Sequence, residues 1–501
     1  MGNSKSAKTL IYLAHDHLHR NRGALTHAQP ETHEIVMVES QRMLNSARWH
    51  KQRIFFLLSS ARHFAEVLRA EGFSVHLLSA ENTARGIQSL ANNYQRVISA
   101  QPSSYRLTRS LEEIGVEFVP ADFFITPRAL FLEWASTQKQ LKMENFYRWQ
   151  RARLNILMDG DQPEGGRWNY DDENRLAPPK EPHPWPKYPQ HQRDDIDNEV
   201  IKEISSLDLI GALDDRTWGT TRDAALSQLE FFLKNSFANF GPYEDAMTLS
   251  SWQVYHSLLS PYLNVGLITA EEVVEAAIKK FRQGKIPVSS CEGFIRQIIG
   301  WREYINGIYW FFGEEYRQNN HFQSNRELLP LFTDATATKM VCVSDSIQQI
   351  TERSWVHHIP RLMVLSNLAM LTDIDPAKFL AWMREIFIDA ADWVMVPNVI
   401  GMSMHADGGK MSTKPYVAGG AYISRMSNYC GSCSYNPKER TGAQACPFTT
   451  LYWHYLARNR ELLKKNNRMF QQLNGITRLK DIDETIKRGD EMLRGLERGE
   501  I

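Results

Sequence analysis

Over roughly the first 130 residues, apolar positions follow two alternating rhythms. Short uninterrupted runs read as buried strands: Thr9–Ala14 (TLIYLA), Glu34–Val38 (EIVMV), Phe73–Leu78, Arg96–Ala100 and Val116–Val119. Between the second and third, His50–Glu71 repeats at helical spacing. Ile54, Leu57, Leu58, Ala61, Ala65 and Leu68 share one face, and Gly72 stands at the C-cap position. Strand–helix–strand alternation predicts a parallel sheet with helices on both faces. The stretch holds no G-x-G-x-x-G and no P-loop, so any ligand is expected at the C-terminal ends of the strands.

The rhythm breaks between Asp159 and Asp197. Pro163, Pro178, Pro179, Pro182, Pro184, Pro186 and Pro189 fall among polar residues, which excludes a long helix or a central strand. This is a connector laid over the surface, and Trp168, Trp185 and Tyr188 are expected to pin it down. From about Asn198 the spacing is helical to the end. Apolar faces mark Thr220–Asn235, Thr269–Gln283, Cys291–Phe312, Asp345–Thr351, Trp355–Leu371, Pro376–Ile388 and Leu451–Lys465. Asp481–Gly499 is so charged that it is expected as a solvated surface helix. Three parts follow: an α/β domain over 1–135, a proline-rich connector over 136–200, and a large all-α domain over 201–501.

Length supports this division, since 501 residues exceed what one core usually serves. With 58 basic and 58 acidic side chains the formal charge is zero, so any nucleic-acid site must be a local patch. No apolar run is long enough to span a bilayer, and the N-terminus lacks the apolar segment of a secretory signal. MGNSKS has the outline of a myristoylation sequence, a motif common by chance. A soluble, intracellular protein is expected.

Cysteine usage narrows the chemistry. Cys430 and Cys433 frame CGSC, Cys446 follows after a twelve-residue loop, and Cys342 lies upstream. Two thiolates with two residues between them clasp one metal centre, and a third and a distant fourth complete it. In a protein sparse in cysteine and without a signal peptide, this spacing favours a metal or cluster over a disulfide. The spacing leaves tetrahedral zinc and [4Fe–4S] equally open.

Other motifs are ambiguous one by one. YHSLLSPYLNVG places Ser257 and Ser260 around Leu258 and Leu259 ahead of a proline, fit for phosphate binding or plain helix capping. EGFIRQIIGWREYINGIYW interleaves Arg296, Gln297, Trp301, Arg302 and Glu303 with apolar residues. WVHHIPRLMVLSN carries His357 and His358, which point in different directions on a helix. One can serve as a proton donor, or both can simply pack. DAADWVMVPNVIG sets Asp389 near Asn398, and the loop GGKMSTKPYVAGGAY carries Lys410, Lys414, Tyr416 and Tyr422 into the cysteine segment. Such a loop suits a nucleic-acid backbone and a displaced base.

Taken together, RHFAEVLRAEGFSV, GGRWNYDDENR, HSLLSPYLNVGL, EGFIRQIIGWREYINGIYW, HHIPRLMVLSN, PNVIGMSMHADGG, TKPY and RMSNYC with CxxC and CPF run through nearly the whole chain. In this order they resemble the photolyase/cryptochrome superfamily, and within it the iron–sulfur bacterial cryptochromes and photolyases that include prokaryotic (6-4) photolyases. The resemblance implies an N-terminal antenna domain binding a lumazine-type chromophore and a helical domain holding FAD. It also implies a [4Fe–4S] cluster on Cys342, Cys430, Cys433 and Cys446. By position, Ser257, Leu258, Leu259 and Ser260 fall at the FAD phosphates. Gln297, Trp301 and Arg302 line the flavin pocket, and Asp389 and Asn398 fall near the isoalloxazine. His357, His358, Tyr416 and Tyr422 flank the lesion pocket, with His358 as proton donor and His357 in support. Asp16 and His17 belong to the antenna site.

The chain departs from that pattern in places. Trp382 keeps its place on the electron-transfer helix, but Met383 stands where relatives carry tyrosine, and Asp334 where a tryptophan is expected. Met395 replaces a frequent acidic residue near the flavin, His17 a glutamine, and Met43 an antenna-contacting glutamate. The expectation is a light-driven (6-4) photolyase acting on UV-damaged DNA with the lesion flipped out, monomeric, in the bacterial cytosol or nucleoid. A blue-light photoreceptor with the same cofactors is the alternative, and a zinc-bearing DNA-binding module a third.

Overall fold

A computed structural model describes residues 6–213 and 216–501. The MGNSKS signal lies largely outside them.

The five predicted strands form one parallel sheet. They are β1 (Ser6–Tyr12), β2 (His33–Ser40), β3 (Val75–Ala80), β4 (Tyr94–Ala100) and β5 (Glu117–Val119), in the order β3-β2-β1-β4-β5. Ile11 pairs with Ile35 of β2 and with Ile98 of β4. Side chains alternate between two dry faces. Leu10, Tyr12, Val36 and Val38 pack on one side with Ile87 and Leu111. Ile11, Ile35 and Met37 pack on the other with Phe56, Ala61 and Ala65 of α1 (Lys51–Ala70). The His50 side chain caps α1 by accepting from the Gln52 N–H, and Gly72 ends it at φ +95°. Strand order reverses across β1, so the crevice between the C-terminal ends of β1 and β4 is the expected ligand position. Asp16 follows β1 there and accepts from Ser103, which follows β4.

The second sheet face is continuous with the helical body. Phe56 meets Tyr262 edge-on with ring centroids 5.7 Å apart. The helix α2 (Arg128–Ser136) contains the expected domain boundary at 135. It drives Phe131 and Trp134 into the helical core beside Tyr304. The connector is pinned as expected. Tyr188 is buried and its hydroxyl donates to the His256 carbonyl, while Trp185 packs on Tyr255 at 5.3 Å. It ends in α3 (Asp195–Ile204).

Beyond residue 163 no strand occurs among the described residues. The helical body is built around residues 288–312, where Val288–Ile295 and Glu303–Phe312 are joined by a π-helical stretch, Arg296–Arg302. Around it lie α4 (Ser260–Val265), α5 (Val341–Arg353), α6 (Gly420–Met426), α7 (Pro447–Arg458) and α8 (Ile482–Glu497). Gly307 permits the closest approach. A Cβ there would stand 2.1 Å from the Phe131 ring. The last helix corrects an expectation. Far from being solvated all round, α8 buries Met492, Leu493 and Leu496 and packs along α7, with His454 Nε2 3.0 Å from Asp490. No described helix is long and apolar enough to cross a membrane.

Candidate functional site

The four cysteines expected to act together do converge. Cys342 lies in the first turn of α5, Cys430 and Cys433 in the loop after α6, and Cys446 caps α7 with Pro447 at its first position. All four line one pocket, walled by Met340, Ile423, Tyr429, Tyr435 and Phe448. None of the five cysteines is in a disulfide. Burial, and then the three neighbouring thiols, push the Cys342 thiol well above its ordinary value. Burial raises Cys446 to about 11. Such thiols stay protonated until a cation draws them into thiolates. Gly420 makes room for them, since a Cβ there would lie 2.9 Å from Cys446 Sγ. Cys291 sits apart in the core shared with the sheet.

A second group gathers residues expected at the flavin. Ser260, at the start of α4, donates to Asp389 Oδ2 at 2.7 Å. Arg361 grips the same carboxylate with both ends of its fork, at 2.9 and 3.1 Å, and its guanidinium lies 3.9 Å over the Phe387 ring. Asn264 Nδ2 donates to the Asp389 carbonyl at 2.8 Å. Leu258 and Leu259 are core residues at 1% exposure, with Leu258 in the left-handed region at φ +58°. The Ser257 carbonyl accepts from Gln228 at 2.9 Å. The Asn398 side chain donates to its own helix at Val394 O, 2.8 Å away.

The long helix sends its expected residues in different directions. Gln297 Nε2 donates to Glu244 Oε1 at 2.7 Å. Burial lifts the Glu244 carboxyl to about 8 despite the nearby Arg296 charge. Trp301 meets Tyr304 edge-on. Arg302 turns toward the α/β domain instead, lying 4.1 Å over the Phe124 ring, paired with Glu303 at 2.9 Å and donating to Phe123 O. Phe123 in turn stacks on His17 at 4.6 Å, which links Arg302 through Phe123 to an expected antenna residue.

The adjacent histidines diverge, though not as two positions of one helix: the helix expected from Trp355 starts only at His358, and His357 lies just before it. His357 is buried, its Nδ1 has no hydrogen-bond partner, and its ring stacks on His256. His358 keeps more than a third of its surface accessible. The surrounding protein and the Arg361 charge lower its pKa. Tyr422 donates to Asp245 Oδ2 at 3.4 Å, and burial raises that carboxyl to about 6. Tyr416 is half-buried against the helical core. Trp382 is buried, stacked on Phe379 at 5.5 Å, and donates to Phe332 O at 3.0 Å.

Sequence reasoning missed Glu244, His256 and Arg361. Arg361 lies four residues after His357 in a quoted motif, which was the available signal. Backbone geometry offers another. Three π-helical stretches, Arg296–Arg302, Pro360–Ser366 and Pro397–Ser403, carry Gln297, Trp301, Arg302, Arg361 and Asn398. Such distortions concentrate at functional sites.

Known proteins share this arrangement of chain. Residues 11–218 match the family model described as deoxyribodipyrimidine photo-lyase-related protein. A (6-4) photolyase of Agrobacterium fabrum is 41% identical over 480 residues, covering 92% of this chain and 94% of its own. A bacterial class III photolyase from Agrobacterium tumefaciens shares the fold at TM-score 0.56 and 16% identity, over 93% of this chain and 87% of its own. A Synechocystis cryptochrome does so at TM-score 0.55 and 14% identity, over 80% and 83%. The chain therefore belongs to the photolyase/cryptochrome family.

Proposed function

We propose that this protein is a light-dependent DNA repair enzyme that reverses pyrimidine (6-4) pyrimidone lesions in UV-damaged DNA. The observation that carries this reading is the 41% identity, over 92% of the chain, to a protein named (6-4) photolyase. FAD, when bound and reduced, supplies the photoexcited electron. The chain supplies placement and proton control. The donor set of Ser260 and Arg361 around Asp389 fits a phosphate-bearing cofactor with ring N–H groups. Glu244, held near its neutral form at pH 7, fixes the amide of Gln297 so that its carbonyl is free to accept from a flipped base. His358, accessible beside the buried His357, is the proton donor. Tyr416 and Tyr422 flank the base, and Trp382 is the first station for electrons refilling the flavin.

The cysteines hold [4Fe–4S] in this reading. Thiolates on one zinc, each about 2.3 Å from the metal, stand about 3.8 Å apart. Among the described residues no three of these sulfurs lie within 4.8 Å of one another. A wider centre fits that spacing better. A lumazine-type antenna at Asp16 and His17, a monomeric state and a place in the cytosol complete the proposal.

The test is blue-light repair of an oligonucleotide carrying one defined (6-4) lesion, with a cyclobutane dimer as control. Restoration of the (6-4) substrate alone is expected. Flavin photoreduction without repair of either lesion would overturn the proposal in favour of a photoreceptor.

A further inference from the structure

The chain between α7 and α8 is a basic stretch in a molecule of zero formal charge. Residues 459–480 hold six cations against one acid, Glu461. Lys464 takes up that acid at 2.6 Å. Among the described residues, Lys465 and Arg468 have no carboxylate within 4.0 Å, and both are exposed.

The stretch is held firmly from below. Leu463, Met469, Leu473 and Ile476 are buried in the helical core, and the short helix Phe470–Ile476 packs on α7. Phe470 itself is 66% exposed, more than any other large apolar side chain among the described residues. An anchored element thus presents one bare aromatic ring two residues from an unpaired guanidinium.

The neighbours of this stretch say what it faces. Asn466 Nδ2 donates to the Thr413 carbonyl at 2.9 Å, which ties it to the loop running through Lys414 to Tyr416. Burial and the Asp171 charge raise the Tyr416 hydroxyl, while Arg175 and Arg468 pull it back, so Arg468 stands beside this tyrosine. Asp171 is itself taken up by Arg175 and Arg296. Lys414, like Lys465, has no carboxylate within 4.0 Å among the described residues. Three unpaired cations and an exposed ring therefore border the tyrosine loop. Cations on two adjoining segments match the repeating phosphates of a nucleic-acid backbone, and a fixed aromatic among them is a platform for a base. A membrane surface would call for a broad apolar face in place of a single ring.

We propose that Lys414, Lys465, Arg468 and Phe470 form a DNA-contact face, the cations on backbone phosphates and the Phe470 ring stacked on a base exposed next to the flipped lesion. This rests on the repair reading above and adds to it a surface outside the lesion pocket.

The test is dark binding of the full FAD-loaded chain to a fluorescent duplex carrying one (6-4) lesion, and to the undamaged duplex, between about 50 and 200 mM salt. Each phosphate contact contributes about 0.9 to the slope of log affinity against log salt. Lys465→Ala with Arg468→Ala should therefore flatten the slope by about 2 on both duplexes. Phe470→Ala should weaken lesion binding about 5–150-fold with the slope unchanged, and Phe470→Trp should restore it. Lys279→Ala removes an exposed lysine of another helix and should change neither quantity. Thermal melting checks that each variant folds, and if Phe470→Ala does not, the slope of the Lys465 and Arg468 variant decides. Wild-type affinity and slope in both variants, with repair intact, would overturn the face and leave the repair reading standing. Equal wild-type affinity for damaged and undamaged duplex, with the slope still flattened in the variant, would keep the face and count against the repair reading. Loss of self-association or of binding to anionic lipid vesicles in Phe470→Ala, with DNA affinity unchanged, would assign the face to a second copy or a membrane and overturn the proposal.

Discussion

His357 stacks on His256 with ring centroids 4.3 Å apart and planes 21° from parallel. His256 Nε2 in turn lies 3.1 Å from the Glu244 carbonyl. The stack thus joins the doubled-histidine motif to the residue that holds Gln297, with His357 buried and His256 enclosed between its neighbours.

That burial sets a pH dependence. Burial lowers His256 to about 3 and drives His357 well below the ordinary histidine value. The unfolded chain, with both near 6.5, therefore binds more protons than the folded one as pH falls. The stabilisation is complete above pH ~6.5 and is lost progressively toward pH ~3, at about 1.4 kcal/mol per pH unit for each ring. Denaturant unfolding between pH 7 and 5 should show this slope. Other buried histidines add to the same slope, among them His50 and His405, so His256→Gln, which keeps a side-chain donor, should remove one ring's share, about 1.4 kcal/mol per pH unit. A slope unchanged in that variant would place the titration elsewhere.

Iron content distinguishes the cysteines. Replacing Cys342, Cys430, Cys433 or Cys446 with Ser should lower iron per chain and soluble yield, because the loop between α6 and α7 loses its anchor. Cys291→Ala should retain full iron, since Cys291 lies in the core shared with the sheet. The opposite pattern would refute the ligand set.

His358→Ala should leave FAD bound and cut (6-4) repair by about 10²–10⁴-fold, the usual loss on removing a positioned acid. Single-turnover repair after a light pulse is the measurement. Wild-type repair in this variant would move the proton donor to another group.

Gly307→Ala tests packing with an inverted sign. In an exposed helix the change stabilises by about 1 kcal/mol. Here the added methyl would meet the Phe131 ring at 2.1 Å. Overpacking of this kind costs about 1–3 kcal/mol, so the melting temperature should fall. A rise would mean that α2 is not held as close to the long helix as described.

The sheet and most helices were legible because their signals are local. Period-two and period-3.6 spacing, together with capping at His50 and Gly72, are written within a few residues. The cysteine centre was legible because three of its four members lie within one short segment. The Asp389 node was only half legible, since Ser260 and Asp389 stand 129 positions apart and nothing near either names Arg361 as partner. Glu244 was missed because an acidic residue in YEDAM looks like any surface acid until folding buries it. The last helix misled through its charge, which hid Met492, Leu493 and Leu496 on one apolar stripe.

Gly420 makes the sulfur-lined pocket and the helix turn that carries Tyr422 one mechanical part. The first turn of α6 rests against Cys446 Sγ, and Tyr422 leaves the same turn two residues later, about 3 Å along the axis. Tyr422 reaches Asp245, the neighbour of Glu244. A volume change at the thiols, such as oxidation of Cys446, has only that one turn in which to dissipate. Chemical injury to the sulfurs should therefore register first as a displaced tyrosine, with the rest of the molecule still folded.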